Sequence, residues 1–257
     1  MDYFTAIVLG VIQGIAEFLP ISSDGHLVIA EHLLGVKENN LAMTVALHIG
    51  TLASILVVYR RDILPALKSP RLVLAVIAAT LPLVFVGLFV KDAVEQTFGS
   101  PMIAGFGLLL TALVVALMPR VERDVLTLEQ VTWKQGLIVG LFQTIAVLPG
   151  VSRSGMTIFG GLTTGVQRAA AANFSFYIAV PAIAGAAVLH GKDLLKAGAG
   201  GLEPGPTLVG MLTSFVVGLA ALRLLLGLVS RSKLQYFAWY CAVLGIGVIA
   251  WQMSSGG

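Results

Sequence analysis

The sequence predicts an all-α membrane protein. Six spanning helices and two re-entrant helical hairpins are expected in an inverted-topology repeat, forming one membrane domain over 1–257. Three observations lead there. The chain is 57% hydrophobic and 11% charged, with a mean hydropathy of +0.94, where a soluble domain carries about 25% charged residues. Six apolar stretches are long enough to cross a bilayer. Two further apolar regions break midway and resemble each other.

The first element, 4–34, is interrupted at Pro20-Ile-Ser-Ser-Asp-Gly. Each half is too short for about 30 Å of hydrocarbon. It therefore reads as a hairpin entering and leaving on one side, allowed at membrane depth only when buried in protein or lining a cavity. Spans are expected at 41–59, 72–90 and 101–118. A second broken region, 136–167, follows, then spans at 172–190, 206–229 and 235–253. Within the spans only Arg223 is permanently charged, near a helix end where it can snorkel. Gly10-Val-Ile-Gln13-Gly-Ile15-Ala16 matches Gly140-Leu-Phe-Gln143-Thr-Ile145-Ala146, and Pro20-Ile-Ser-Ser23 matches Pro149-Gly-Val-Ser152. The chain reads as one duplicated unit, repeat 1 over about 1–119 and repeat 2 over about 136–253.

Basic residues orient it. Arg60, Arg61, Lys68 and Arg71 follow the first span, Arg120, Arg123 and Lys134 the third, Arg231 and Lys233 the fifth. The other side has only Lys37, Lys91, Lys192 and Lys196. The first group is expected in the cytoplasm. Both termini then lie outside, the odd number of spans inverts the second repeat, and the two hairpin tips are able to meet. Broken helices at matching places of two repeats point to a midplane site. The net charge of +3 is too small to argue for nucleic acid. The lone Cys241 excludes an intramolecular disulfide, and Asp2 in place of a basic n-region argues against a removable signal peptide. The glycine-rich 198–205 segment is expected to be a flexible outer connection.

The first break carries Gln13 and Glu17 four residues apart, hence on one helical face, then Ser22, Ser23, Asp24 and His26. A carboxylate in so apolar a helix is costly unless it faces a polar cavity or a cation. Ser22, Ser23 or Asp24 is expected to cap the second helix, whose amides attract an anion; for Asp24 capping is the preferred role. The second break reads Pro149-Gly-Val-Ser-Arg-Ser-Gly-Met-Thr157. The planar fork of Arg153 suits bidentate phosphate binding. Ser152, Ser154 and the following helix start would complete an anion cradle, and pairing of Arg153 with Glu17 across the repeats is a compatible second role. His48, inside a span, is read as bonding to a neighbouring helix. Ser175 and Tyr177 are read as packing or interhelical hydrogen-bonding residues, and Glu31 and His32 as solvated at the rim.

Gln13-x-x-x-Glu17, Pro-x-Ser-Ser-x-Gly-His26, the Pro-Gly-x-Ser-Arg-Ser-Gly break and Phe174-Ser-Phe-Tyr-Ile-Ala-Val-Pro181 together resemble the undecaprenyl pyrophosphate phosphatase family of the bacitracin-resistance type, over essentially the whole chain. The resemblance implies a multi-pass enzyme of the bacterial inner membrane, its site towards the outer face. Such an enzyme removes the terminal phosphate of a C55 polyprenyl pyrophosphate, recycling the lipid carrier for cell-wall synthesis. Bacitracin resistance follows, because that antibiotic sequesters the pyrophosphate form. The resemblance also implies a divalent cation, Mg2+ or Ca2+, held by Gln13 and Glu17. It implies catalytic roles for Glu17, Ser23, His26 and Arg153, with phosphate contacts from Ser22, Ser152, Arg153 and Ser154. Many relatives have glutamate in place of Gln13 and threonine in place of Asp24. Asn173 aligns with an acidic residue in many of them, and no catalytic role is expected of it.

The residues leave the nucleophile open between Ser23 with His26 as base, His26 itself, and a water activated by His26. A transporter or flippase of a polyprenyl phosphate would explain the inverted repeat and Arg153 but leaves the Ser-His-Glu cluster idle. The other large class of membrane lipid phosphatases requires a histidine soon after its Ser-Arg element, and here the next is His190.

Overall fold

The computed structural model describes residues 1–36, 41–90, 97, 99–121, 123, 125–196, 203–230 and 234–254. Among them the regular structure is helical: α1 (Tyr3–Ala16), α2 (Ser23–Leu33), α3 (Leu41–Val58), α4 (Ile63–Leu67), α5 (Pro70–Phe89), α6 (Pro101–Val121), α7 (Trp133–Ile145), α8 (Arg153–Thr163), α9 (Arg168–Lys196), α10 (Pro204–Ser230) and α11 (Tyr236–Ser254). A 3-10 turn covers Leu128–Gln130. Lys37, Lys91, Arg231, Lys233 and most of the glycine-rich 198–205 segment lie outside the described residues.

Five helices are long and apolar enough to cross a membrane: α5, α6, Arg168–Gly191 of α9, Pro204–Val229 of α10, and α11. They match five of the six expected spans. The sixth, α3, has 18 residues, about 27 Å of helix against roughly 30 Å of hydrocarbon. The two interrupted regions break where proline and glycine predict: α1 and α2 are separated by 17–22, α7 and α8 by 146–152. Caps fix the helix starts. Asp2 accepts from the Thr5 amide at 2.7 Å, a bond that holds its carboxyl below the usual carboxylate range. Ser69 with Pro70 opens α5, and Thr132 with Gln135 forms a capping box on α7.

Helix α1 lies along α10, and α7 lies along α5. Both contacts pass over a glycine: a Cβ on Gly10 would come 2.7 Å from the Gly210 carbonyl, and one on Gly140 2.5 Å from that of Ala79. Helix α3 packs on α10 and α9, and α6 on α11. An aromatic knot joins the halves, with Phe18 and Phe176 edge to face at 5.9 Å and Tyr59 beside them. In a lipid solvent such contacts stabilise through close packing more than through burial of apolar surface.

Connections sort to two ends. The Met1 amino group meets Glu203, just before α10, at 2.5 Å. Elsewhere, Arg71 Nη2 donates to the Gln130 carbonyl at 2.7 Å, and the Gln167 amide to that of Leu126 at 2.8 Å. The segment leading into α7 is thus bonded both to the start of α5 and to the segment leaving α8.

Candidate active site

Glu17 follows the last residue of α1, and the chain then turns through Pro20 to Ser22. Ser22, with φ 71°, is the one non-glycine among the described residues in the left-handed region, a conformation that costs about 1–3 kcal/mol. Two bonds to its carbonyl oppose that cost at about 1 kcal/mol each: the His26 amide donates to it at 3.3 Å and His26 Nδ1 at 2.7 Å. Ser22, not Asp24, caps α2, its hydroxyl accepting from the Gly25 amide at 3.3 Å. Asp24 sits in the first turn, its carboxylate turned to the cavity beside His48.

Thr111 of α6 secures the other tip. Its hydroxyl donates to the Gly150 carbonyl at 2.8 Å and accepts from the Ser152 amide at 2.9 Å. Gly150 has φ 85°, and a side chain there would run into the Ala104 carbonyl; only glycine fits both demands. Ser152 caps α8 by accepting from the Gly155 amide at 3.1 Å. The tips meet backbone to backbone, since a Cβ on Gly25 would lie 2.7 Å from Gly150 Cα. Ser154 completes the seam by donating to the Leu19 carbonyl at 3.1 Å.

This junction builds a polar cluster. Glu17 Oε1 is paired with Arg153 Nη2. Glu17 Oε2 accepts from Ser23 Oγ at 2.7 Å and from Gln13 Nε2 at 3.0 Å. His48 of α3 donates Nδ1 to the Thr44 carbonyl at 2.8 Å, so in the neutral ring Nε2 is the unprotonated nitrogen. That Nε2 lies 3.6 Å from Asp24 Oδ1 and 3.7 Å from Glu17 Oε2. His48 Nε2 thus lies within 4 Å of both carboxylates, a polar contact that a water can bridge.

The cluster forms one end of a cavity of about 760 Å³. Glu17, Ser23, Asp24, His48, Ser152 and Arg153 line that end; Leu83, Val84 and Leu88 of α5 and Pro181, Ile183 and Leu189 of α9 line an apolar remainder. Both α2 and α8 begin with residues that line the cavity, which places their positive dipole ends at its polar end. Arg153 Nη1 is buried without a hydrogen-bond partner, an unmet donor beside the space an anion would fill. The lining is polar and cationic at one end and apolar along the rest, the chemistry that an anionic headgroup on an apolar chain would match.

Of the residues expected here, Glu17, Ser22, Ser23, Ser152 and Arg153 line the cavity. Gln13 is reached through Glu17, and Ser154 is spent on the seam between the tips. The expected pairing of Ser23 with His26 is not found. Ser23 bonds to Glu17, while the His26 ring turns away, its Nε2 at 2.7 Å from the Tyr240 hydroxyl. His48, expected to bond to a neighbouring helix, does approach Asp24 of α2, and Asp24, expected as a cap, is not one; both line the cavity. Thr111 and Gln143 were missed, the latter lining the cavity with its Oε1 unpartnered. The repeat match of Gln143 with Gln13 was the available signal. Ser175 does bond between helices, to Thr157 at 2.6 Å, and Asn173 accepts from Tyr59 at 2.8 Å, away from the cavity.

The residues fit a divalent cation by donor chemistry. Gln13 Oε1 is buried without a partner beside the Glu17 carboxylate, and both are hard oxygen donors. Among the described residues no group of three His, Cys, Asp or Glu side chains is arranged to hold a metal.

The profile of the family described as Bacitracin resistance protein BacA matches residues 6–247. A protein named Undecaprenyl-diphosphatase from Carboxydothermus hydrogenoformans is 38% identical over 256 residues, 98% of each chain. Proteins of the same name from Bacteroides fragilis and Rhodopirellula baltica are each 40% identical, covering 97% and 96% of this chain and 98% and 97% of their own.

Proposed function

The chain belongs to the family of the bacitracin resistance protein BacA, and from that premise we propose that it hydrolyses undecaprenyl pyrophosphate to the monophosphate and inorganic phosphate. One observation carries the site assignment: the Ser23 hydroxyl donates to Glu17 Oε2 beside a guanidinium with an unmet donor, at the polar end of an otherwise apolar cavity.

The pyrophosphate docks on Arg153, the Ser22 and Ser152 hydroxyls and the two helix starts, while the polyprenyl tail follows the α5–α9 wall. Ser23 Oγ attacks the terminal phosphorus and passes its proton to Glu17. The bond to the bridging oxygen breaks, and undecaprenyl monophosphate leaves. Water held by His48 and Asp24 then attacks the phosphoserine and gives one proton to His48 Nε2. The Ser23 Oγ–phosphorus bond breaks as Glu17 returns its proton to Oγ, and phosphate leaves, the His48 proton passing to solvent. The balance is one water consumed per pyrophosphate cleaved. Arg153 spreads the charge that builds on the transferred oxygens. A divalent cation, Mg2+ or Ca2+, held by Gln13 and Glu17 would add charge neutralisation of the same kind.

We read the architecture as an inverted repeat with two re-entrant hairpins in one membrane domain. The α1–α10 contact over Gly10 has its counterpart in the α7–α5 contact over Gly140, and the segments flanking the α7–α8 pair are bonded to each other. The site is assigned to the outer face of the bacterial cytoplasmic membrane. The cavity extends to Glu31 near the end of α2, Gly99 just before α6 and His190 towards the end of α9, helix ends other than those that carry the basic Arg60–Arg71 and Arg120–Lys134 loops. A polyprenyl-phosphate transporter would leave the Ser23–Glu17 pair without a task. Phosphate release from undecaprenyl pyrophosphate by the purified protein tests the reading; lipid movement without cleavage would overturn it.

A further inference from the structure

His26 stands outside the cavity, yet both of its ring nitrogens are engaged. Nδ1 lies 2.7 Å from the Ser22 carbonyl, and Nε2 lies 2.7 Å from the hydroxyl of Tyr240 in α11. The two rings stack at 5.6 Å with 11° between their planes. A carbonyl only accepts, so Nδ1 carries the proton; Nε2 then accepts, and the Tyr240 hydroxyl donates. A chain of two hydrogen bonds therefore runs from Tyr240 through His26 to the Ser22 carbonyl.

That carbonyl belongs to the peptide joining Ser22 to Ser23, at the one non-glycine residue with positive φ among those described. The tilt of this peptide sets where Ser23 Cβ points, and so whether Oγ reaches Glu17 Oε2 at 2.7 Å. With the proton on Nε2 instead, the Nδ1 lone pair would face the Ser22 oxygen, two acceptors in contact, and the strained turn would relax. The Tyr240 hydroxyl donates or accepts equally well, so the Ser22 carbonyl selects the tautomer and the bond to Tyr240 fixes the ring where Nδ1 stays on that carbonyl.

We infer that Tyr240 is a positioning residue for the hydrolysis: it holds the His26 ring so that Nδ1–H stays on the Ser22 carbonyl, and His26 holds the Ser22–Ser23 peptide so that Ser23 is aimed for attack. The inference rests on the phosphatase reading for its kinetic consequence, but the tautomer is measurable without activity.

Selective 15N-histidine labelling of the full chain in detergent, with His26→Asn to assign the signal among four histidines, reads it directly. Wild type is expected to show protonated Nδ1 and an accepting Nε2 at His26, and Tyr240→Phe a loss of the hydrogen-bond shift at Nε2 with a weakened one at Nδ1 as the ring comes loose. An Nε2–H form in wild type overturns the inference. In phosphate release, Tyr240→Phe is expected to lower kcat about tenfold or more with KM and Tm unchanged, a loss of the size that orienting partners produce. Asparagine places an amide N–H where Nδ1–H was. His26→Asn should therefore outperform His26→Ala, and adding Tyr240→Phe to it should cost nothing more. Equal inactivity of folded His26→Asn and His26→Ala would make His26 a proton-transfer group and overturn positioning, as would an undiminished kcat in Tyr240→Phe. Trp239→Phe, 76% exposed next door, serves as the neutral control. Absence of hydrolysis by wild type would instead count against the phosphatase reading, with the nitrogen signals still deciding the tautomer.

Discussion

Arg153 reaches across the junction of the two tips to pair with Glu17, the same carboxylate that accepts the Ser23 hydroxyl. The anion-binding group and the base are thus each other's partners while no substrate is bound. A pyrophosphate competes for the guanidinium, and a carboxylate relieved of its counter-ion draws the Ser23 proton more strongly. Substrate binding and nucleophile activation become one event.

Removing one side of this pair strands the other. Arg153→Ala leaves the Glu17 side chain, 4% exposed, as a buried carboxylate without its cation, at a cost of about 3–5 kcal/mol. Its thermal midpoint should fall well below that of wild type. Arg153→Lys should keep most of the stability but raise KM, because a point charge loses the bidentate grip on phosphate. Thermal unfolding in detergent and steady-state phosphate release check the two halves.

In the proposed cation site, Gln13 sets the charge. Gln13→Glu adds a carboxylate beside Glu17, and the divalent-cation concentration for half-maximal activity should fall. Gln13→Ala removes the amide oxygen and should raise that concentration on the order of tenfold. Titration of chelator-treated protein with Mg2+ and Ca2+ measures both.

His48 is assigned to the water step. His48→Ala should slow turnover by about 10²-fold or more while still allowing Ser23 to be phosphorylated. Acid quenching with substrate labelled in the terminal phosphate should then trap labelled protein in His48→Ala and none in Ser23→Ala. Asp24→Asn, which only weakens the hold on the water, should fall between wild type and His48→Ala.

Thr111 governs the second tip. Thr111→Val keeps the shape but leaves the Gly150 carbonyl and the Ser152 amide unpaired in a buried seam, costing about 1–3 kcal/mol for each stranded group. A lower thermal midpoint accompanied by a higher KM is expected, since Ser152 and Arg153 lose their anchor.

Much of this arrangement was legible in the chain. Glu17 and Arg153 are ionisable residues in apolar surroundings, which lipid tolerates only at a functional or paired position, and Pro20 and Pro149-Gly150 announce the breaks. What stayed hidden depends on tertiary approach or local strain. His48 faces the cluster because α3 packs beside the first tip, and a lone histidine in an apolar span does not announce its neighbour. Ser23 and His26, three apart, read as sharing a helical side. The left-handed Ser22, where sequence rules anticipate glycine or asparagine, and the Tyr240 ring drawn from the far end of the chain turn the imidazole elsewhere. Asp24 sits one residue too deep to cap a helix that Ser22 already closes.

The central claim is that Ser23, primed by Glu17 and fed by Arg153, cleaves a polyprenyl pyrophosphate. The most direct measurement is phosphate release from undecaprenyl pyrophosphate in detergent with divalent cation present, for wild type, Ser23→Ala, Glu17→Gln and Arg153→Ala matched for folded protein. Release by wild type, with losses of about 10²-fold or more in each variant, is the predicted result. Wild-type rates in Ser23→Ala, or no release by folded wild type, would contradict the account.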